Sequence, residues 1–393
     1  MRSLFSFCLI ILLVSCVSER NKGSDIEILP NNAASVSIMD HVERIEIIPL
    51  ETITESLLRD IKSVKFADGF IFVEDSRGGV FSFERNGGFV SQVGNRGQGP
   101  EEHLSSLAFF VDEENRHVVL IDVVKEALIK HDFYGRFQGL HRVPLVAIRE
   151  VQDALLMEDG TLLLNHMIIT VPHVEDIAYT ALSGSYFQRR KTFFHYYPIT
   201  AENYMVAFAS HPMVRTSDGS VNLIMPLNDT IFNFYNGKVT PKYRVELPER
   251  RMRMAPRERF KTQIGNNFFN VMFEYGRRGF FTGFTGIFGT ENIILLEYRY
   301  QGVLLGYYLF DRVSGQGGYT LYSQEPDEFP VGIVIASHDN FFVSAKDPQD
   351  LLLMKDDLRE NLDPTISHNA RLLEVLDNLQ FDDNPVLFLY HMK

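Results

Sequence analysis

Tryptophan is absent from the 393 residues, and cysteine occurs only twice, at Cys8 and Cys16. Past residue 16 the chain therefore has no thiol. Disulfide staples, a cysteine nucleophile and thiolate-held zinc are excluded from the body of the protein, and stability must come from a packed core. Long apolar runs are missing as well. The stretch from Leu4 to Val14 is roughly half the ~20 residues that cross a bilayer, and no later run reaches that length. Positive charge is in deficit, with 38 Lys and Arg against 51 Asp and Glu for a formal net charge of −13. An acidic balance of this size argues against nucleic acid as a partner. The chain also has no GxSxG elbow, no HxH or HExxH pair, no DxDxDG loop and no P-loop, so serine-hydrolase, zinc, EF-hand and nucleotide chemistry lack their local signatures. No cofactor and no metal site is expected.

The N-terminus carries an export signal. Arg2, the apolar run to Val14 and the small residue Ser15 form the three regions of a secretory leader over residues 1–15. The ending Leu13-Val14-Ser15-Cys16 resembles the lipobox of bacterial lipoproteins, in which the cysteine becomes the lipidated first residue. Loss of Arg2 with the leader takes the net charge to −14. Residues 16–40 begin with the polar stretch SERNKGSD and read as a flexible tether. The expected state is anchored to a membrane rather than spanning it.

From residue 41 to 393 one pattern recurs six times: a polar turn followed by a β-branched or aromatic run. The copies are ADGFIFVED (67–75), DEENRHVVLID (112–122), EDGTLLLNH (158–166), SDGSVNLIM (217–225), GTENIILLEY (289–298) and SHDNFFVSA (337–345). Asp, Glu or Asn beside Gly or Asn is hairpin chemistry that supplies positive φ at low cost. Behind most copies lies a second hairpin, as in VFSFERNGGFVSQVG (80–94) and IFNFYNGKVTPKYRV (231–245). Two hairpins make a four-stranded blade, and turn spacings of roughly 45 to 73 residues fit blade repeats of about 40 to 50 with insertions around the fourth turn. The expected fold is an all-β, six-bladed β-propeller. HVERIEIIPL (41–50) and NPVLFLYHMK (384–393) would close the ring in the last blade, and leucine periodicity in DLLLMKDDLRENL and HNARLLEVLDNL adds a short helical insertion. The 32 Phe and 16 Tyr suit packing between blades, with sugar stacking the less favoured use.

With these features the chain resembles the six-bladed β-propeller lipoproteins of Gram-negative gut anaerobes. The carrying residues are the lipobox at Cys16, RIEIIPLET (44–52), the GNRGQGPEE loop (94–102) and the closing NPVLFLYHMK. The resemblance implies the fold and the envelope location, on the periplasmic or surface side of the outer membrane, and transfers no catalytic residue.

Candidate sites follow from composition along the chain. The loop VGNRGQGPEEH (93–103) lacks the order of a phosphate-binding loop and reads as a blade-to-blade crossover, with Arg96, Glu101, Glu102 and His103 as candidate ligand-binding residues facing the central channel. The basic run ERRMRMAPRERFK (249–261) makes Arg250, Arg251, Arg253, Arg257 and Arg259 a candidate partner patch. His103, His131, His141, His166, His173, His195 and His211 sit near strand ends, where a propeller axis can gather them. Glu74, Asp75, Asp112, Glu113 and Glu114 read as solvated turns. Absence of a catalytic constellation favours a binding or scaffold module for a glycan, peptide or protein partner, and the alternative is a propeller hydrolase or lyase with an axial, metal-assisted site.

Overall fold

The computed structural model describes residues 26–33, 36–104, 106–166, 177–184, 187–195, 209–225, 228–247, 253–254, 276–300, 304–321 and 332–393. Each of the six turns joins two antiparallel strands. Asp68 and Gly69 take φ of +44° and +82° between Ile61–Ala67 and Phe70–Asp75, and Asn236 and Gly237 take +48° and +68° between Thr230–Tyr235 and Lys238–Val245. Positive φ at consecutive positions is what a two-residue hairpin needs, and Asp-Gly and Asn-Gly are the pairs that tolerate it.

The strands assemble into six blades. Blade 1 is Ile61–Ala67, Phe70–Asp75, Val80–Glu84 and Phe89–Val93, and blade 2 is Ser106–Asp112, His117–Asp122, Ala127–Asp132 and Phe137–Arg142. Blade 3 is Val151–Leu156, Leu162–His166, Ile177–Ser183 and Arg189–His195, and blade 4 is Met213–Arg215, Val221–Leu223, Thr230–Tyr235 and Lys238–Val245. Blade 5 is Phe284–Gly289, Ile293–Tyr300, Leu304–Asp311 and Gln316–Leu321. Blade 6 takes Val334–His338, Phe341–Lys346 and Val386–Met392 from the C-terminal part and its outermost strand, Val42–Pro49, from the N-terminal part. Ile45 sits opposite Tyr390 and Ile47 opposite Phe388, so the two ends of the sequence close one sheet.

Each blade is covered on both faces, which explains why second strands such as FIFVED are near-continuous apolar runs. Six apolar clusters fill the six spaces between neighbouring blades. Between blades 1 and 2, for example, Phe72 and Val80 meet Phe109, Leu120 and Phe133, with the Phe72 and Phe133 rings edge-on at 4.9 Å. The aromatics thus serve blade packing. Helices Pro348–Leu353, Lys355–Asn361 and Ser367–Asn378 occupy the connection inside blade 6, where Leu351, Leu358, Leu372 and Leu376 join the core.

Two sequence expectations need correction. The tether ends well before residue 40, because Glu27–Leu29 adds a parallel fifth strand to the edge of blade 4 and the Asn32 and Ala33 amides donate to the Gly317 carbonyl on blade 5. Leu29 and Ile38 are fully buried. Three-residue edge pairing leaves almost no periodic signal, which is why it escaped the pattern. Glu74 and Asp75 are likewise 2 % and 1 % exposed rather than solvated. Asp75 accepts from the Arg77 and Gly79 amides and the Arg77 guanidinium, and Glu74 pairs with Lys62 at 2.7 Å.

Candidate functional site

The first strand of every blade lines the axis, and the six recurring turns sit together at one end of it. A cavity of about 770 Å³ opens there, lined by residues from all six blades. A second, smaller chamber of about 160 Å³ continues along the axis toward the starts of the inner strands. Ser63, Lys65, Asp153 and His211 line both, and so form the partition between them.

Local backbone features position that partition. Five of the six inner strands shift register against their neighbour one residue after they begin, at Lys62, Leu107, Gln152, Thr285 and Ile335. A bulge at a fixed place re-aims side chains near the axis. Two of these bulged residues, Lys62 and Gln152, reach the smaller chamber. In blade 4 the corresponding position is taken by His211, whose backbone bridges to blade 5 by donating to Thr285 and accepting from Ile287 at 2.8 Å.

The partition is built from opposite charges. Lys65 Nζ donates to Asp153 Oδ1 and to the Ala154 carbonyl, each at 3.1 Å, linking blades 1 and 3, and it lies 5.4 Å from the Phe109 ring centre. Lys62 with Glu74 makes a second pair facing the smaller chamber. Burial raises the Glu74 carboxyl against the pull of Lys62. Burial lowers His211 to about 4, with the nearby Asp153 carboxylate opposing, so the imidazole is neutral at physiological pH. Its Nδ1 is enclosed with no hydrogen-bond partner, and so is Gln152 Oε1, whose amide Nε2 donates to the Ala209 carbonyl at 2.7 Å. That bond identifies the oxygen as the amide atom without a partner.

At the wide mouth the charges are mainly negative. Asp68, Glu113, Glu158, Glu291 and Asp339 come from five different blades and all sit on or beside the recurring turns. Asp68 pairs with Arg116, and Asp339 lies 3.4 Å from His338. Arg215 and Arg312 also line the cavity, each donating to a backbone carbonyl, of Leu156 and Glu291 respectively. Burial lowers His338, opposed by Asp339 and Glu113. Phe66, Phe110 and Phe288, the aromatic rings in the lining, are 3–6 % exposed and belong to inter-blade packing.

Arg96, Glu101, Glu102 and His103 are placed elsewhere. Their loop joins the outer strand of blade 1 to the inner strand of blade 2 and meets the latter at the end remote from the mouth, and none of the four lines either axial cavity. Glu102 folds back into the loop, where its carboxylate accepts from the Gly99 amide at 2.7 Å, while Lys125 donates to the Gly99 and Glu102 carbonyls. A Cβ on Gly97 would lie 2.0 Å from Glu102 Oε2, so any larger residue there displaces that carboxylate. His103 is 4 % exposed and lowered by burial, with Asp122 opposing. Arg96 and Glu101 are exposed. The direction in which the crossover enters blade 2 sets these residues at the end of the ring opposite the recurring turns, apart from the two cavities described.

Among the other histidines, His166 is satisfied in the core by the Arg149 carbonyl and the Thr180 hydroxyl, and His131 packs against Gly94 and Phe137. Of His103, His131, His141, His166 and His211, whose side chains the structure describes, His211 alone lines the axial cavities; His173 lies outside the described residues and His195 is described only as backbone. Among the described residues no group of three or more His, Cys, Asp or Glu is disposed to hold a metal ion. Cys16, Arg250, Arg251, Arg257 and Arg259 lie outside the described residues, and Arg253 is described only as backbone, in a two-residue strand Arg253–Met254 beside Phe280–Phe281.

The same ring occurs in other proteins. A Bacteroides fragilis protein inferred to be exported superposes with a TM-score of 0.74 at 18 % identity, covering 94 % of this chain and 99 % of that one. A DUF4221 member from Bacteroides vulgatus superposes with a TM-score of 0.54 at 10 % identity, covering 89 % and 96 %. At these identities the likeness is one of fold. No curated protein matches the chain. Over residues 24–391 the sequence matches the family described as a domain of unknown function, DUF4934, and the chain belongs to that family.

Proposed function

We propose that this protein is a binding module of the cell envelope that takes its ligand in the axial cavity. The observation that carries the reading is the convergence of all six blades on one polar space of about 770 Å³, a size typical of ligand sites. Polar groups held on hairpin turns over a rigid ring are pre-positioned, so little ordering cost falls on binding. The loop at residues 94–103, opposite the mouth, spends the Glu102 carboxylate on its own Gly99 amide and offers less to a ligand.

The location belongs to the same reading. The leader over residues 1–15 and the lipobox at Cys16 support export and lipid anchoring, and the exported character inferred for the Bacteroides fragilis relative agrees with it. Cys16→Ser is expected to move the protein from the membrane to the soluble fraction, and unchanged fractionation would defeat the anchor.

The binding reading is tested with a glycan and peptide screen on the wild type and on Ser217→Trp. Ser217 is an exposed residue of the mouth, and an indole there narrows the entrance. Ligands that bind the wild type should be lost from the variant. Ligands retained at full affinity would place recognition outside the cavity.

A further inference from the structure

The charge and hydrogen-bonding character of the axial cavity specify the class of ligand, an inference that rests on the axial-binding reading. Glu113, Glu158 and Glu291 line the mouth from blades 2, 3 and 5 and make no ion pair among the described residues. Against them stand the charges of Arg215 and Arg312, each of which donates to a carbonyl, with Arg312 Nε left enclosed without an acceptor, and the mouth carboxylates Asp68 and Asp339 add to the negative side. Lower down, Lys65 with Asp153 and Lys62 with Glu74 cancel each other, so the cavity as a whole is negative. A cleft of one sign between low-dielectric walls concentrates ions of the other sign.

A second observation, independent of the rim, points the same way. Gln152 Oε1 is an enclosed acceptor without a donor, and beside it His211 Nδ1 is enclosed without a partner, donating or accepting according to its tautomer. An occupant that satisfies Gln152 Oε1 must bring a donor, and an ammonium with three N–H groups or a guanidinium with five supplies it. A phosphate, sulfate or carboxylate brings none. A sugar ring brings hydroxyl donors but finds no exposed aromatic platform among the lining residues, since Phe66, Phe110 and Phe288 are buried.

We propose that the axial cavity recognises a cationic amine or guanidinium head, presented by a lysine or arginine side chain of a peptide or by a small free amine. The rim carboxylates draw it in, and the Gln152 acceptor at the partition receives one of its donors. His211 and Gln152 act as contact residues for the head, and Glu113, Glu158 and Glu291 as the steering set.

The test is calorimetric titration of the full chain in a neutral detergent with an alternating Gly-Lys hexapeptide blocked at both ends, its Gly-Glu counterpart, N-acetyl-lysine methylamide and a neutral maltooligosaccharide. The Gly-Lys peptide should bind and the Gly-Glu peptide should not. The Glu113→Gln, Glu158→Gln, Glu291→Gln triple variant, altered only at exposed turns, should weaken the Gly-Lys peptide by about tenfold at low salt, and wild-type binding should weaken between about 20 and 200 mM salt. Binding of N-acetyl-lysine methylamide as tight as that of the peptide assigns the site to a small amine, and much weaker binding assigns it to a peptide. Binding of the maltooligosaccharide or the Gly-Glu peptide in preference, or binding of the Gly-Lys peptide that ignores both the triple variant and salt, overturns the inference. If no cation binds while a screen ligand is lost in Ser217→Trp, the axial-binding reading survives and the cation preference alone falls.

Discussion

Asn384→Ala should cost about 3 kcal/mol, because one side chain fastens the two ends of the ring. Asn384 is 2 % exposed and precedes the closing strand Val386–Met392. Its Oδ1 accepts from the Leu58 amide at 2.8 Å, and its Nδ2 donates to the carbonyls of Glu51 and Ser56 at 2.8 and 2.9 Å. These partners belong to the segment that leaves the outer strand of blade 6 for blade 1. Alanine leaves the Leu58 N–H and the Ser56 carbonyl without partners, while Glu51 keeps the Ser56 hydroxyl at 2.7 Å. Two unsatisfied groups at roughly 1 to 3 kcal/mol each give the total. For a body of roughly 350 residues, an unfolding entropy of about 2.1 cal/mol/K per residue converts this to about 4 °C in Tm. Differential scanning calorimetry reads the shift directly. A change below about 1 °C with an unaltered enthalpy would refute the clamp.

Other consequences follow from the same reasoning. Glu102→Ala removes the cap on Gly99, and Gly97→Ala displaces the Glu102 carboxylate; each should lower stability by about 1 kcal/mol in urea unfolding while leaving ligand affinity unchanged, and lost affinity in either would return this loop to the binding site. His166 and His211 both sit near 4 because of burial. With an unfolded value near 6.5, the unfolded state holds more protons between about pH 6.5 and 4, so their contribution to stability is complete above about 6.5 and is lost as pH falls, by up to about 3 kcal/mol each. Imidazole proton resonances that titrate near pH 6.5 in the folded protein would contradict this.

The blades were legible because their signals are local. Asp68-Gly69 and Asn236-Gly237 announce hairpins within two residues, and runs such as FIFVED record burial on both faces. The closing pair was legible for the same reason, since Val42–Pro49 and Val386–Met392 each carry strand character on their own. RIEIIPLET and NPVLFLYHMK meet at their ends, where the Asn384 amide donates to Thr52 Oγ1 at 2.8 Å. The axial centre was hidden, because Lys65, Asp153 and His211 are brought together only by ring closure, and no spacing rule joins positions so far apart. One usable signal was present in each of two inner strands: Lys65 and Asp153 place charges within IKSVKFA and VQDALL, at inner-strand positions where a charge needs a partner. The crossover loop misled in the opposite sense. Its arginine and glutamates look like a binding set in one dimension, but the antiparallel order of the blade carries them away from the mouth, and Glu102 is consumed by the loop's own amides.

The central claim is that recognition occurs at the mouth formed by the six recurring turns. Amide hydrogen exchange with and without a bound ligand from the screen tests it most directly. Protection is predicted at residues 68–69, 113–116, 158–160, 216–219, 290–292 and 339–340, on turns from all six blades and with little change elsewhere. Protection confined to residues 94–103 or to the helices at 348–378, with the six turns unaffected, would contradict it.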